Sequence, residues 1–146
     1  MWKSRNKIFL VSAFCLTAFT GAAQNIEVDA RVDSARVRTG TPFAYRVTVK
    51  GTVRSPRVHP PEFSSFRVLG TAQNQSYSLR PGGTAQLTLR ITYTLLAPQP
   101  GSYRIEPFAV ENGGGTVKSN AVNIQVYGDP LKEKKRPLPL GSGTEI

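Results

Sequence analysis

The stretch Ala85-Gln86-Leu87-Thr88-Leu89-Arg90-Ile91-Thr92-Tyr93-Thr94-Leu95, followed by Ala97-Pro98-Gln99-Pro100-Gly101-Ser102-Tyr103-Arg104-Ile105, decides how this chain folds. In the first half an apolar residue stands at every second position. That is the period of a β-strand with one face on a core. In the second half a Pro/Gly corner feeds another strand, and Tyr103 stands two residues before Ile105.

Working outward, Ile26 to Val32 reads as a first strand that continues past Asp33-Ser34-Ala35 into Val37. Thr39-Gly40-Thr41-Pro42 is a turn, and Phe43, Tyr45, Val47 and Val49 alternate with polar or small residues in the next strand. Lys50 to Glu62, with Gly51, Pro56, Pro60 and Pro61, reads as a loop because such a segment cannot hold a central ladder. Phe66 to Ala72 and Gln75 to Leu79 read as two strands, and Arg80-Pro81-Gly82-Gly83 as a tight turn. Tyr103 to Glu111, Thr116 to Lys118 and Ala121 to Val126 complete the series around the loop Asn112 to Gly115. Short strands at this spacing, with no helical period, predict an all-β sandwich. Immunoglobulin-like sandwiches place a Tyr at such a corner, two residues ahead of the second disulfide Cys, its hydroxyl bonded back to the backbone. Ile105 occupies that Cys position here. The expected fold is an immunoglobulin-like antiparallel β-sandwich of about seven strands without a disulfide.

Residues 1–23 read as a secretory signal peptide. Trp2 to Lys7 is a basic n-region, Ile8 to Phe19 an apolar h-region, and Gly21-Ala22-Ala23 a small-residue cleavage site. Residues 24–128 then form one domain of ordinary sandwich length, about 100 residues. Residues 129–146 form a basic, Pro/Gly-punctuated linker. Its end, Thr144-Glu145-Ile146, is expected to begin a further strand in a longer parent chain. Cys15, the only cysteine, falls in the leader. A disulfide framework, a Cys-ligated zinc site and thiol catalysis are therefore not expected, and one His59 cannot make a His-rich metal site. An exported, cysteine-free chain fits the bacterial periplasm or cell envelope.

The whole chain carries a formal charge of +10, and losing Lys3, Arg5 and Lys7 with the leader leaves +7. The excess is spread singly as Arg along strands and turns. Export, and the lack of an aromatic-basic stripe, set nucleic acid aside. Outward Arg residues keep a sheet soluble and blunt its edges, and they also suit anionic envelope polymers, lipid headgroups or an acidic protein face.

Reaction chemistry is sparse. His59 and Glu62 in Arg57-Val58-His59-Pro60-Pro61-Glu62 could form an acid/base pair, but nothing at fixed spacing supplies a nucleophile or oxyanion donors. Glu27, Asp29 and Asp33 lie on or beside the first strand and read as its solvent face rather than as a calcium loop. Phe43, Tyr45, Tyr93 and Tyr103 fall on inward positions, whereas Phe63, Phe66, Tyr77, Phe108 and Tyr127 are not placed by pattern. Catalytic, cofactor and metal residues are expected to be none.

Four segments in register carry a resemblance. Val37-Arg38-Thr39-Gly40-Thr41-Pro42-Phe43 is one, and Pro60-Pro61-Glu62-Phe63-Ser64-Ser65-Phe66-Arg67-Val68-Leu69-Gly70 the second. Tyr93-Thr94-Leu95 with Pro98, Gly101, Tyr103, Ile105, Pro107 and Phe108 is the third, and Ser119-Asn120-Ala121-Val122-Asn123-Ile124-Gln125-Val126 the fourth. Together, over about Glu27 to Tyr127, they resemble the N-terminal immunoglobulin-like domain of the BatD bacterial aerotolerance (oxygen tolerance) family. The resemblance implies an exported, membrane-tethered protein acting beside von Willebrand A-domain proteins and a MoxR-type ATPase, with no catalytic residues to carry over. The expected function is a non-enzymatic envelope interaction or assembly module, with Arg54, Arg57, His59 and Glu62 as the partner-binding loop. A periplasmic polysaccharide- or peptidoglycan-binding module is the alternative, motivated by the basic surface and the unplaced aromatic residues.

Overall fold

A computed structural model of the chain describes residues 25–52 and 55–132. The expected leader, Arg54, and the part of the linker from residue 133 onward, with Thr144, lie outside the described residues. Ten strand segments follow in order. They are β1 (Ile26–Val32), β2 (Arg36–Arg38), β3 (Pro42–Gly51), β4 (Arg57–His59), β5 (Arg67–Leu79), β6 (Ala85–Leu96), β7 (Gly101–Ile105), β8 (Ala109–Asn112), β9 (Gly115–Lys118) and β10 (Val122–Tyr127).

The first layer is a fully antiparallel sheet of order β1-β3-β6-β5. It has the strand order of the ABED sheet in constant-type immunoglobulin folds. The rest pairs as two short ladders, β2-β10-β7 and β4-β8-β9. These are two halves of one layer. Glu106-Pro107-Phe108 separates β7 from β8, and Ser119-Asn120-Ala121 separates β9 from β10. The two breaks face each other: the Ser119 N–H donates to the Phe108 carbonyl at 2.8 Å, and the Phe108 N–H donates to Ser119 Oγ at 2.9 Å. Pro107 has no N–H to give a ladder, so the hairpin is pinched there and the Ser119 hydroxyl takes over a backbone role. Joining each broken pair leaves seven sandwich strands plus the short β2, which runs parallel to β10. The expected count and the ten segments are thereby reconciled.

The core lies where the sequence alternation put it. Phe43, Tyr45, Val47 and Val49 of β3 and Leu87, Leu89, Ile91 and Leu95 of β6 are buried together with Ala30, Ile105, Phe108, Val110, Ile124 and Val126. At the corner after β6 the Tyr103 hydroxyl donates to the Gln99 carbonyl at 2.9 Å, the bond back to the backbone that its position predicts. Gly101 reaches φ +147° at that corner, a conformation that residues with a Cβ avoid.

Three local readings change. Lys50 to Glu62 is not all loop: β3 runs to Gly51, and Arg57–His59 pairs with β8 as an edge strand bracketed by Pro56 and Pro60, the place in a sheet where Pro is tolerated. Phe66 to Ala72 and Gln75 to Leu79 are one strand, because Gln73 and Asn74 stay paired with Ile91 and Arg90. Val37 does not extend β1; it crosses to the second layer and pairs beside Val126.

Candidate functional site

The chemistry-bearing residues of the predicted loop sit on β4 and just after it. Arg57, His59 and Glu62 are all exposed. The partner of His59 is Glu111 of β8, with Nε2 and Oε2 3.3 Å apart, rather than Glu62. That contact is open to water on both sides and carries little energy. Arg57 lies opposite Glu111 in the ladder, so the cluster on this edge is Arg57, His59 and Glu111. It is a charged, exposed strand edge. A general base also needs a reacting group within hydrogen-bond reach, and no nucleophile of such geometry is found beside His59 among the described residues.

The outer face of the first layer is the second charged surface. Glu27, Asp29 and Arg31 of β1, Arg46, Thr48 and Lys50 of β3, and Arg90 of β6 line a shallow depression of about 400 Å3. The register sets Arg31 opposite Arg46, Asp29 opposite Thr48 and Glu27 opposite Lys50. The Arg31 guanidinium turns back to Asp29 at 2.7 Å, which relieves its opposition to Arg46. Asp29 is thus paired with a neighbouring cation and Glu27 stands opposite one on a solvent face, as their alternation implies. Among the described residues no group of three or more His, Cys, Asp or Glu side chains is placed to hold a metal ion.

The aromatic residues that pattern did not place divide cleanly. Phe108 is fully buried. Phe63 and Phe66 pack on the core, with ring centroids 5.8 Å from Tyr45 and 5.6 Å from Phe43 respectively. Tyr77 and Tyr127 remain exposed, with Arg36 stacked 5.2 Å over the Tyr127 ring. Inside this aromatic cluster the Tyr45 hydroxyl makes no hydrogen bond among the described residues, and the neighbouring Ser119 hydroxyl accepts from the Phe108 N–H and donates to the Asn120 carbonyl. Burial pushes the Tyr45 phenol up to about 12, the nearby Ser119 hydroxyl only partly offsetting it, and burial raises Tyr93 as well.

Two sheet edges are treated in opposite ways. At β1 the Asn120 side chain imitates a neighbouring strand: the Ala30 N–H donates to Oδ1 at 3.0 Å, and Nδ2 donates to the Ala30 carbonyl at 2.9 Å. At β5 every residue is exposed. No charge or proline in the run Val68 to Leu79 marks it as an edge in the sequence, where its alternation reads as ordinary strands.

A family model, described as the BatD DUF11 like domain, matches residues 30–126, about two thirds of the chain. The chain belongs to the BatD family. The match takes in all of β2 to β9, the corner at Tyr103 and the pinched hairpin, and so covers the fold elements on which the resemblance was read. None of the curated proteins matches this BatD chain. A solved structure, the cupredoxin domain of amoB from Nitrosocaldus yellowstonii, is similar at a TM-score of 0.45 and 11% identity, over 79% of this chain and 95% of that one.

Proposed function

We propose that this BatD-family domain is a non-enzymatic protein-interaction and assembly module of the bacterial cell envelope. The observation that carries the reading is the exposed strand edge at β4, where Arg57, His59 and Glu111 gather beside the Pro60-Pro61-Glu62 segment. An edge offers backbone N–H and C=O groups to an added strand, and flanking charges select which strand is accepted. Family membership supports a place in the envelope, and the basic, Ala-terminated leader supports export to the periplasm, with membrane tethering in a longer form. By family resemblance the partners are von Willebrand A-domain proteins working with a MoxR-type ATPase in oxygen tolerance.

Pull-down from envelope extracts tests this reading. Recovery of an A-domain protein by the wild type, reduced at least tenfold by Arg54→Glu with Arg57→Glu, is the expected result. Recovery of sacculus fragments in place of protein would move the function to peptidoglycan binding. Equal recovery of the A-domain protein by the charge-reversed form would remove the β4 edge from the account.

A further inference from the structure

We infer that the free edge of β5 is a docking site for an extended, acid-flanked strand of a partner protein. The inference rests on the interaction-module reading above and adds to the β4 edge a second docking edge, with the chemistry of its occupant.

β5 is the last strand of its layer and pairs only with β6 among the described residues. It is thirteen residues long and exposed throughout. Soluble proteins protect such an edge with charge, proline, bulges or short length. Here the twelve residues Val68 to Leu79 contain neither a charged residue nor a proline. The one protective device is a bulge between Val68 and Gly70, at the far end. From Gly70 to Leu79 the strand is regular and open.

Both faces of this strand are prepared for an added neighbour. Residues paired with one another share a face, so Gln73, Gln75 and Tyr77 stand on the side of Ile91, Leu89 and Leu87. Those three β6 residues are buried, whereas the β5 residues beside them overhang the second layer. Tyr77 at 59% and Leu79 at 79% exposure give an incoming strand apolar contacts there. On the outer face Ala72, Asn74 and Ser76 are short, and Arg90 lies opposite Asn74 with Thr92 and Thr88 beside it. Arg90 borders this short-chained outer face as well as the depression over β1 and β3. Arg67 and Arg80 stand at the two ends of the strand. Arg80 and Arg90 beside an uncharged ladder favour carboxylates on the occupant. Charge also disfavours a second copy, since antiparallel self-pairing centred between Gln73 and Asn74 would set Arg67 against Arg80 of the other chain.

The test pans a displayed library of random dodecapeptides against the immobilised protein and maps the winners by amide exchange. Winners should alternate β-branched or apolar residues with polar ones, carry Asp or Glu at the ends, and slow exchange across residues 70–79. Asn74→Glu with Ser76→Glu, two surface changes that leave the core intact, should weaken them at least tenfold, and so should 0.5 M salt. An empty selection, winners lacking acids, or protection at 57–59 instead of 70–79 would overturn the inference. So would protection of 70–79 that rises with protein concentration in the absence of peptide, which would give the edge to a second copy. If the Asn74→Glu/Ser76→Glu form still recovers the same envelope protein as wild type, the edge assignment fails and the module reading stands. A wild type that recovers no envelope protein removes the module reading whatever the peptides do.

Discussion

Asn120 holds both backbone groups of Ala30 with its single side-chain amide, at 3.0 Å and 2.9 Å across ninety residues of sequence. Oδ1 accepts and Nδ2 donates, the complement of a peptide unit in a ladder. The residue therefore closes the β1 edge and joins the two layers at the hairpin pinch.

Replacing it tests that joint. Asn120→Ala should cost about 1–3 kcal/mol in urea unfolding, because two part-buried backbone groups lose their partners. Asn120→Asp keeps the acceptor but sets a carboxylate oxygen against the Ala30 carbonyl. A protonated carboxyl can donate there, so the folded state raises its pKa. The stability it contributes is present at low pH and falls as pH rises through the carboxyl range. Asn120→Asp should thus differ less from wild type at pH 4 than at pH 7. An equal difference at both would show that donation to Ala30 is unimportant.

Tyr103→Phe removes only the hydroxyl bond to Gln99. The loss should be about 1 kcal/mol, since the bond is exposed and water replaces it. Tyr103→Ala also takes the ring from its 5.2 Å contact with Phe66 and should cost roughly 2–3 kcal/mol. Equal effects from both substitutions would contradict a corner held by ring packing as well as by its hydrogen bond.

Tyr45→Phe should be neutral or stabilising although the residue is fully buried, because the hydroxyl it removes has no partner. Its pH dependence has a definite sign. The folded-state phenol is raised from 10.0 to about 12. Its stabilising contribution is complete below pH 10 and is lost as pH climbs toward 12, because the unfolded chain gives up the proton first. Wild type should lose stability across that window by at most about 1.4 kcal/mol per pH unit from this group, and Tyr45→Phe should lose less. Parallel alkaline profiles for the two proteins would rule this out.

Gly40→Ala should destabilise by roughly 1–2 kcal/mol. Gly40 has φ +78°, which disfavours a side chain. A Cβ there would also come within 2.7 Å of Leu131 Cδ2. That contact is with the end of a movable side chain, so Gly40→Ala with Leu131→Ala should recover only the smaller share of the loss. Full recovery in the double variant would assign the cost to the contact instead of the backbone.

Periodicity shows the core of this protein because β3 and β6 bury one face each, and alternation survives wherever only one face meets solvent. Tyr103 is equally legible, since a corner bond depends on local spacing. The pinched hairpin is not. Pro107 marks a break, but only the fold reveals that Ser119 lies across from it and supplies the missing bonding. β4 is hidden by its own prolines, which forbid a central strand and permit an edge. Phe63, Phe66 and Phe108 sit in irregular segments where no period operates, and long-range packing takes them inward. Of the candidate residues, Arg57, His59 and Glu62 are as exposed as a loop predicts, while Glu111, which completes the cluster, comes from fifty residues downstream and has no local signal. The edge position of β5 leaves no signal in the sequence, because a run without charge or proline reads equally well as an interior strand.

The Asn120–Ala30 joint and the β2–β10 pairing both tie residues 30–38 to residues 120–127. A nascent polypeptide therefore holds its opening segment without these bonds until the closing one has been made. The order of synthesis and the order of completion thus differ: the earliest described strand is among the last to be finished.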